Sequence, residues 1–144
     1  MPAYYVDSSA LVKRYIREIG STWIAGVIDD PAHDIYISRL AGVEVAATII
    51  RRAERRLAAR QLKHFRSDFA ANYIVINLTA RHFDRAIDLA EKHRLRGADA
   101  LQLAVALDAA QVIHIPLVVL AADQELLAAA RDEGLGIDNP NDHP

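Results

Sequence analysis

The chain has 144 residues, of which 52% are hydrophobic and 25% are charged, and it contains no cysteine. This length suits one domain with its own core, and the lack of cysteine excludes disulfides, thiolate-bound zinc and thiol catalysis. The 17 basic and 19 acidic residues nearly balance, so a nucleic acid or membrane would have to be held by a local patch. No apolar stretch reaches the ~20 residues of a membrane span and no signal-like start is present, so we expect a soluble, cytoplasmic protein without membrane contact.

The first half of the chain is predicted to contain two strands and several helices. A short apolar run at residues 3–6 suits a buried strand, and apolar residues then recur at helical spacing over 11–19 until Gly20. A short helix is expected over residues 22–28 and a strand over 35–37. Ser38 is placed to cap a long helix that reaches Ile50. The basic, Ala-rich residues 51–66 then form the end of that helix and most of the next.

The second half continues the same alternation. Strands are predicted at residues 73–76 and 117–120, with a possible short one at 135–137, and helices at 79–93, 98–110 and 123–133. Phe83, Ile87, Leu89 and Ala90 supply the apolar side of the first of these helices. Residues 139–144 are expected to be a loose tail. Strands that alternate with helices predict a doubly wound α/β fold with a mostly parallel sheet of four to five strands and helices on both faces, in one domain over residues 1–144.

Four acidic residues lie in or beside apolar segments: Asp7, Glu44, Asp99 and Asp123. Ligands of open α/β sheets bind beyond the carboxyl ends of the strands, where these acids are expected to meet. Crowded carboxylates repel one another, and a divalent cation offsets that repulsion; a set of oxygen ligands favours Mg²⁺ or Mn²⁺ over zinc. The alternative is that the aspartates only cap helices or interact with helix dipoles.

Basic residues form the second notable feature. Arg52, Arg56, Arg60 and Lys63 fall at helical spacing and could form a ridge that contacts phosphates, or simply a solvated helix face. Arg96, three residues before Asp99, is another candidate for contacting a phosphodiester backbone. The sequence has neither a glycine-rich phosphate loop nor a Gly-x-Ser-x-Gly motif, and its histidines show no helical pair.

The segments around the four acids together resemble PIN-domain ribonucleases, particularly the VapC toxins of type II toxin–antitoxin systems. Residues 6–13 (VDSSALVK) resemble the opening motif, residues 38–44 (SRLAGVE) the second and residues 95–104 (LRGADALQLA) the third. Residues 120–126 (LAADQEL), followed by Gly134 and the pair Asn139 and Pro140, are similar to the C-terminal block. The likeness covers essentially the whole chain in order.

The resemblance implies a PIN-like three-layer sandwich in which Asp7, Glu44, Asp99 and Asp123 are the catalytic, metal-site acids, with Ser9 in a supporting contact. It further implies cleavage of RNA by water activated on Mg²⁺ or Mn²⁺, a small antitoxin whose tail covers the cleft, and a homodimer. The sequence departs from the family pattern in two places. Ala121 stands where many members carry Thr or Ser, and Gln102 stands where many carry His.

Two other functions remain open at this point. One is a housekeeping PIN nuclease that acts in RNA processing or on structured DNA, which an isolated gene without growth arrest on expression would favour. The other is a catalytically inactive domain that binds RNA or a partner, which an absence of acid-dependent metal binding would favour.

Overall fold

A single sheet of five parallel strands forms the centre of the computed structural model, which describes residues 2–144. The strands are β1 (Ala3–Val6), β2 (Asp34–Ser38), β3 (Ile74–Ile76), β4 (Leu117–Leu120) and β5 (Gly136–Asp138). Their order is β3-β2-β1-β4-β5, and Tyr5 of the central strand pairs with Tyr36 on one side and Val119 on the other. Strands β2 and β3 lie on one side of β1, and β4 and β5 lie on the other, so the direction in which strands are added reverses at β1. The ligand crevice of such a sheet lies at the carboxyl end of the strand where this reversal occurs.

Helices cover both faces of this sheet, which confirms the predicted three-layer α/β architecture. They are α1 (Ser8–Leu11), α2 (Ser21–Asp29), α3 (Arg39–Arg52), α4 (Arg55–Ala71), α5 (Ala80–His93), α6 (Gly97–Ile113) and α7 (Gln124–Asp132). One core joins the sheet to α1–α4 and the other joins it to α5–α7. Over residues 2–144, no helix combines the length and apolar composition that crossing a bilayer requires.

Side-chain caps start the helices directly after the strands, as predicted for Ser38. The Ser38 hydroxyl accepts the backbone N–H of Ala41 at 3.0 Å, and an Asp123 carboxylate oxygen accepts that of Leu126 at 3.1 Å. Each cap satisfies a backbone donor that the first helical turn leaves free. Polar caps therefore stand at the carboxyl edge of the sheet, where the site is expected.

The predicted helix over residues 11–19 is wrong. Helix α1 ends at Leu11 and is followed by a single 3-10 turn, Val12–Arg14. The chain bends here because Arg14 and Tyr15 reach across to α4, where both donate to the buried carboxylate of Asp68, at 3.1 and 2.7 Å. Apolar spacing alone could not show this polar contact between distant segments, so it predicted a continuous helix.

The C-terminal residues are ordered against the fold, contrary to the predicted loose tail. Residues Pro140–Asp142 form a 3-10 turn, and Asn139 and Pro140 are buried. The Trp23 and His143 rings stack with their centroids 4.0 Å apart. Gly20, at φ +84°, lies so close to Pro140 that a Cβ there would meet its carbonyl oxygen at 2.3 Å. A glycine 120 residues away in sequence thus makes room for the tail.

Helix α5 begins one residue later than predicted and ends at the predicted residue, but only part of its predicted apolar side is buried. Phe83 and Ile87 are 50% and 69% exposed, whereas His82, Ala86 and Leu89 are buried. His82 sets this rotation, because its Nδ1 accepts the N–H of Thr79 at 3.0 Å and its Nε2 lies 3.1 Å from Asp108 on α6. The helix consequently presents apolar side chains at the surface.

Candidate functional site

The four acids identified in the sequence lie at the carboxyl edge of the sheet around the end of β1. Asp7 follows β1, Glu44 lies in the second turn of α3, Asp99 opens α6 and Asp123 caps α7. They are close enough to act on one another electrostatically. Burial is the main cause of the raised pKa values of Asp7 and Asp99. The charges of Glu44 and Asp123 add to the rise for Asp7, and those of Asp123 and Asp7 add to it for Asp99.

Asp7 is the most deeply buried of these carboxylates, at 4% exposure. Burial raises its pKa to about 6, hydrogen bonds from Ser9 oppose that rise, and the charges of Glu44 and Asp123 add to it. One Asp7 oxygen accepts both the Ser9 hydroxyl at 2.5 Å and the Ser9 N–H at 3.1 Å. Ionised Asp7 is therefore destabilised by burial and by its acidic neighbours, and a bound cation would offset this unfavourable free energy.

Ser9 also ties two strand ends together. Its hydroxyl oxygen accepts the backbone N–H of Ala122 at 2.9 Å while the hydroxyl donates to Asp7. The loop after β4, which leads to Asp123, is therefore fixed relative to Asp7. Ala121, which replaces the hydroxyl residue of many family members, is fully buried, and Asp123 is held by its helix-capping bond instead.

Asp99 and Asp123 share a basic neighbour. The Arg96 guanidinium lies 3.8 Å from an oxygen of each carboxylate, and 80% of the Arg96 side chain is exposed. Burial raises the pKa of Asp99 to about 6, and Asp123, Asp7 and Glu125 add to the rise while Arg96 opposes it. Glu125, in the first turn of α7, is an acid that the sequence analysis missed.

Glu44 is held by a buried amide, that of Gln102, which the sequence identified only as a departure from the family pattern. The side-chain Nε2 of Gln102 donates to Glu44 Oε1 at 3.1 Å, and Gln102 itself is 1% exposed on α6. The available signal was an amide inside the apolar stretch at residues 100–107, three residues after Asp99 and so on the same side of the helix.

The donor set suits a hard divalent cation, since the convergent groups are carboxylates and hydroxyls. Among residues 2–144, no three acidic or histidine side chains are yet arranged as one coordination sphere. Each of the four acids is instead bonded on its own side, to Ser9, Gln102, Arg96 or a backbone N–H. Rotation of these short side chains toward the centre is what cation binding would require.

The basic residues predicted to form one ridge are split by the fold. The helix breaks at Ala53 and Glu54, so Arg52 ends α3 while Arg56, Arg60 and Lys63 belong to α4. Arg52 also pairs with Glu18 at 2.7 Å. The other three side chains are exposed. Within residues 2–144, Arg96 is the only one of the predicted basic residues that forms an ion pair with the acids of the site.

Two apolar surfaces flank the site. An open groove of about 680 Å³ between α3 and α4 is lined by Val43, Ala46, Ile50, Leu62 and Phe69, with Arg39 and Arg66 also in its lining. We call it the α3–α4 groove. A smaller hollow of about 200 Å³ lies between α5 and the start of α6, lined by Phe83, Ile87, Ala90, Gly97 and Leu101 among others. We call it the α5–α6 hollow.

Comparison with known proteins assigns this fold and its motifs to a family. The family model of the PIN domain matches residues 4–132. Ribonuclease VapC45 of Mycobacterium tuberculosis is 37% identical over 138 residues, which cover 93% of each chain. This chain therefore belongs to the PIN-domain family and is related along nearly its whole length to VapC ribonucleases.

Solved structures share the architecture at lower identity. VapC20 of Mycobacterium tuberculosis, a sarcin–ricin loop cleaving toxin, superimposes with a TM-score of 0.69 at 18% identity, covering 88% of this chain and 94% of its own. A toxin–antitoxin complex from Klebsiella pneumoniae gives a TM-score of 0.65 at 18% identity, covering 95% and 97%. These similarities support the fold predicted from the alternation of strands and helices.

Proposed function

We propose that this chain is a divalent-metal-dependent endoribonuclease that acts in the cytoplasm as the toxin of a toxin–antitoxin pair. The observation that carries the proposal is the set of four mutually repelling carboxylates at the carboxyl end of β1, two of them with pKa values raised to about 6. The related VapC45 is a ribonuclease, and the structurally similar VapC20 is an RNA-cleaving toxin. A crowded acidic site on this fold is suited to the same reaction class.

Asp7, Glu44, Asp99 and Asp123 would hold Mg²⁺ or Mn²⁺, and Ser9 would orient Asp7. A cation held by these acids would supply a lowered pKa for a water molecule and stabilisation of negative charge on a phosphoryl group. Asp7 and Asp99 would bind as ionised carboxylates, because a cation would offset both the burial and the repulsion that raise their pKa values. Glu44 would be oriented by Gln102, whose side-chain Nε2 donates to its carboxylate.

Arg96 is the residue best placed to hold the RNA backbone. It is largely exposed, and it lies beside both Asp99 and Asp123. A guanidinium forms bidentate hydrogen bonds with phosphate, and it would exchange its long contacts with the two carboxylates for a phosphodiester once these bind metal. Arg56, Arg60 and Lys63 would extend the same positive field along α4 at a greater distance.

The direct test is cleavage of cellular RNA by the purified chain. We expect cleavage with Mn²⁺ or Mg²⁺ and none with a chelator, and a loss of roughly 100-fold or more for Asp99→Asn. Asp132→Asn, an exposed acid at the end of α7, is the matched control and should cut at the parental rate. Cleavage that survives chelation, or an Asp99→Asn variant as active as its parent, would contradict the proposal. A chain that binds RNA without cutting it would be the inactive domain.

The α3–α4 groove is proposed as the docking surface of the antitoxin. Val43 and Ile50 are 65% and 60% exposed in it, and together with the other lining residues they form a contiguous apolar surface of the kind that marks interaction sites. Exposed Arg and Lys side chains on α4, together with Arg39 and Arg66, favour an occupant whose apolar side chains are flanked by acids. Val43 immediately precedes Glu44, so a chain lying in this groove borders the acidic site and can cover it.

The α5–α6 hollow is proposed as the contact between two copies of the chain. It combines the protruding side chains of Phe83 and Ile87 with an apolar depression beside them, so each copy can insert into the other across a two-fold axis. Helix α5 carries equal numbers of acidic and basic residues outside its histidines, so a copy meets no net repulsion there. Two copies of the basic helix α4 would repel each other, so the surface beside α4 suits a partner of different charge.

Replacing Ile87 by Asp is expected to shift the protein from dimer to monomer. The change puts a charge at the proposed contact, where it would lose its hydration on association at a cost of several kcal/mol. Light scattering coupled to size-exclusion chromatography measures the mass. Because Ile87 is 69% exposed, the variant should fold normally. A parental chain that is monomeric at tens of micromolar, or an Ile87→Asp variant that remains dimeric, would reject this contact.

A further inference from the structure

We infer that Gln102 is a positioning residue for the metal site: it orients Glu44 through a neutral hydrogen bond while leaving the carboxylate its full charge. The inference rests on the proposed function, because it concerns how one of the four acids is prepared to bind a cation. Its basis is a continuous set of hydrogen bonds that joins β1, β2, α6 and α3.

The first observation is where Gln102 lies. It is 1% exposed in α6, a helix whose buried side chains are otherwise apolar, including Leu103 and Val105. A buried amide is costly unless its groups are hydrogen-bonded, so an aliphatic residue of similar size would serve packing alone better. The hydrogen-bond partners of the Gln102 amide must therefore explain why a polar side chain is buried here.

Those partners fix which way the amide points. Ser38 Oγ already accepts the N–H of Ala41, so its hydroxyl hydrogen is free to donate, and it lies 2.9 Å from Gln102 Oε1. The Tyr5 hydroxyl, fully buried, donates to the same oxygen. With two donors on Oε1, Nε2 is left to donate to Glu44, at 3.1 Å. This is the orientation in which every polar atom of the group has a complementary partner.

The chemistry of the final bond favours a role toward a cation. An arginine or lysine in this position would neutralise Glu44 and compete with a metal ion, whereas an amide donor orients the carboxylate without cancelling its charge. The bond engages only one of the two carboxylate oxygens. Partners of this kind behind a metal ligand commonly contribute 10–100-fold to metal affinity.

The test compares Gln102→Met with Gln102→His and with a control. We expect Gln102→Met to lower Mn²⁺ affinity about 10–100-fold by titration calorimetry. RNA cleavage should fall similarly at limiting Mn²⁺ and recover to within a few-fold of the parental rate at saturating Mn²⁺. Gln102→His keeps one donor and one acceptor and should restore most of the affinity. Gln111→Met, at the exposed end of the same helix, should change neither quantity.

A folded Gln102→Met variant with parental Mn²⁺ affinity would overturn the inference, since a residue needed only for packing would alter thermal stability alone. If Gln102→Met does not fold, Tyr5→Phe carries the test, because it removes one donor to Gln102 and keeps the ring. We then expect a several-fold loss of affinity, and an unchanged affinity would refute the inference. Asp99→Asn, measured in parallel, distinguishes failure of this inference from failure of the proposed function. If its Mn²⁺ affinity is also unchanged, the proposed metal site itself is wrong.

Discussion

Replacing Asp7 by Asn is expected to abolish RNA cleavage and to make the metal-free protein more stable at neutral pH. The loss of cleavage follows because Asp7 is the carboxylate at the centre of the site, and we expect roughly a 100-fold or greater reduction. The gain in stability follows because Asn carries no charge. Asp7 is 4% exposed, faces the charges of Glu44 and Asp123, and holds a pKa of about 6. Residues that serve a site in this way are commonly retained against stability.

The pH dependence of this gain has a definite sign. The Asp7 carboxyl has its ordinary pKa of 3.8 when unfolded and about 6 when folded, so the folded state holds the proton more tightly. Ionising Asp7 therefore costs stability as pH rises through this interval, and the whole cost is present above pH ~7. A shift of roughly two units corresponds to about 3 kcal/mol, and weaker bonds from Ser9 to a neutral amide reduce the expected gain to about 1–3 kcal/mol.

Urea denaturation of both proteins in chelator at several pH values measures this difference. Asp7→Asn should exceed its parent in free energy of unfolding at pH 7.5, and the two should converge near pH 3.5. Asp132→Asn, which changes an exposed acid, serves as control and should follow the parent throughout. An Asp7→Asn variant less stable than its parent at pH 7.5 would mean that Asp7 is a structural residue and that its charge is favourable in the fold.

Replacing Ile50 by Asp is expected to release the toxin from its antitoxin. Ile50 lies in the α3–α4 groove and is 60% exposed, so the variant should fold, but an occupying apolar side chain would meet a desolvated carboxylate. The aspartate also repels the acids expected beside that side chain. We expect affinity to fall by about 100-fold, as for loss of an interface hot spot. The binding partner to use in the measurement is the product of any short open reading frame found directly upstream of the gene.

The matched control is Val112→Asp, an aliphatic residue with 69% exposure near the end of α6 and outside the groove. Co-purification with the upstream product, and rescue of growth by it, should be lost for Ile50→Asp and kept for Val112→Asp. Equal retention of the partner by both variants would place the antitoxin elsewhere. Absence of any such reading frame, with no growth arrest on expression, would favour a housekeeping nuclease.

The architecture and the location of the site could be predicted from sequence because both depend on local patterns. Short apolar runs ending in Asp7 or followed by Asp123 predict parallel strands with acids at one edge, and the structure places both there. Ser38 and Asp123 were identifiable as helix caps by the same reasoning. Each of these caps bonds a backbone N–H only three residues further along the chain, so the local sequence is enough to predict it.

What could not be predicted depends on contacts between distant residues. Asp68 ends the first helical segment by binding Arg14 and Tyr15, more than 50 residues away. The contact of His82 with Asp108 turns α5 so that Phe83 and Ile87 face outward. Apolar periodicity alone predicts that these two side chains are buried. Gln102 is linked to residues of three other elements, and its position in an apolar helix gives no indication of which.

The account depends most directly on the claim that the four acids form one cation site. Titration calorimetry of the chelator-treated protein with Mn²⁺ tests this without requiring knowledge of the RNA. We predict saturable binding at neutral pH, a release of protons from Asp7 and Asp99 on binding that grows as the pH is lowered toward 6, and loss of binding in Asp7→Asn and Asp99→Asn. Mn²⁺ binding of equal affinity and stoichiometry in the parent and in both variants, or no binding by the parent, would contradict the account.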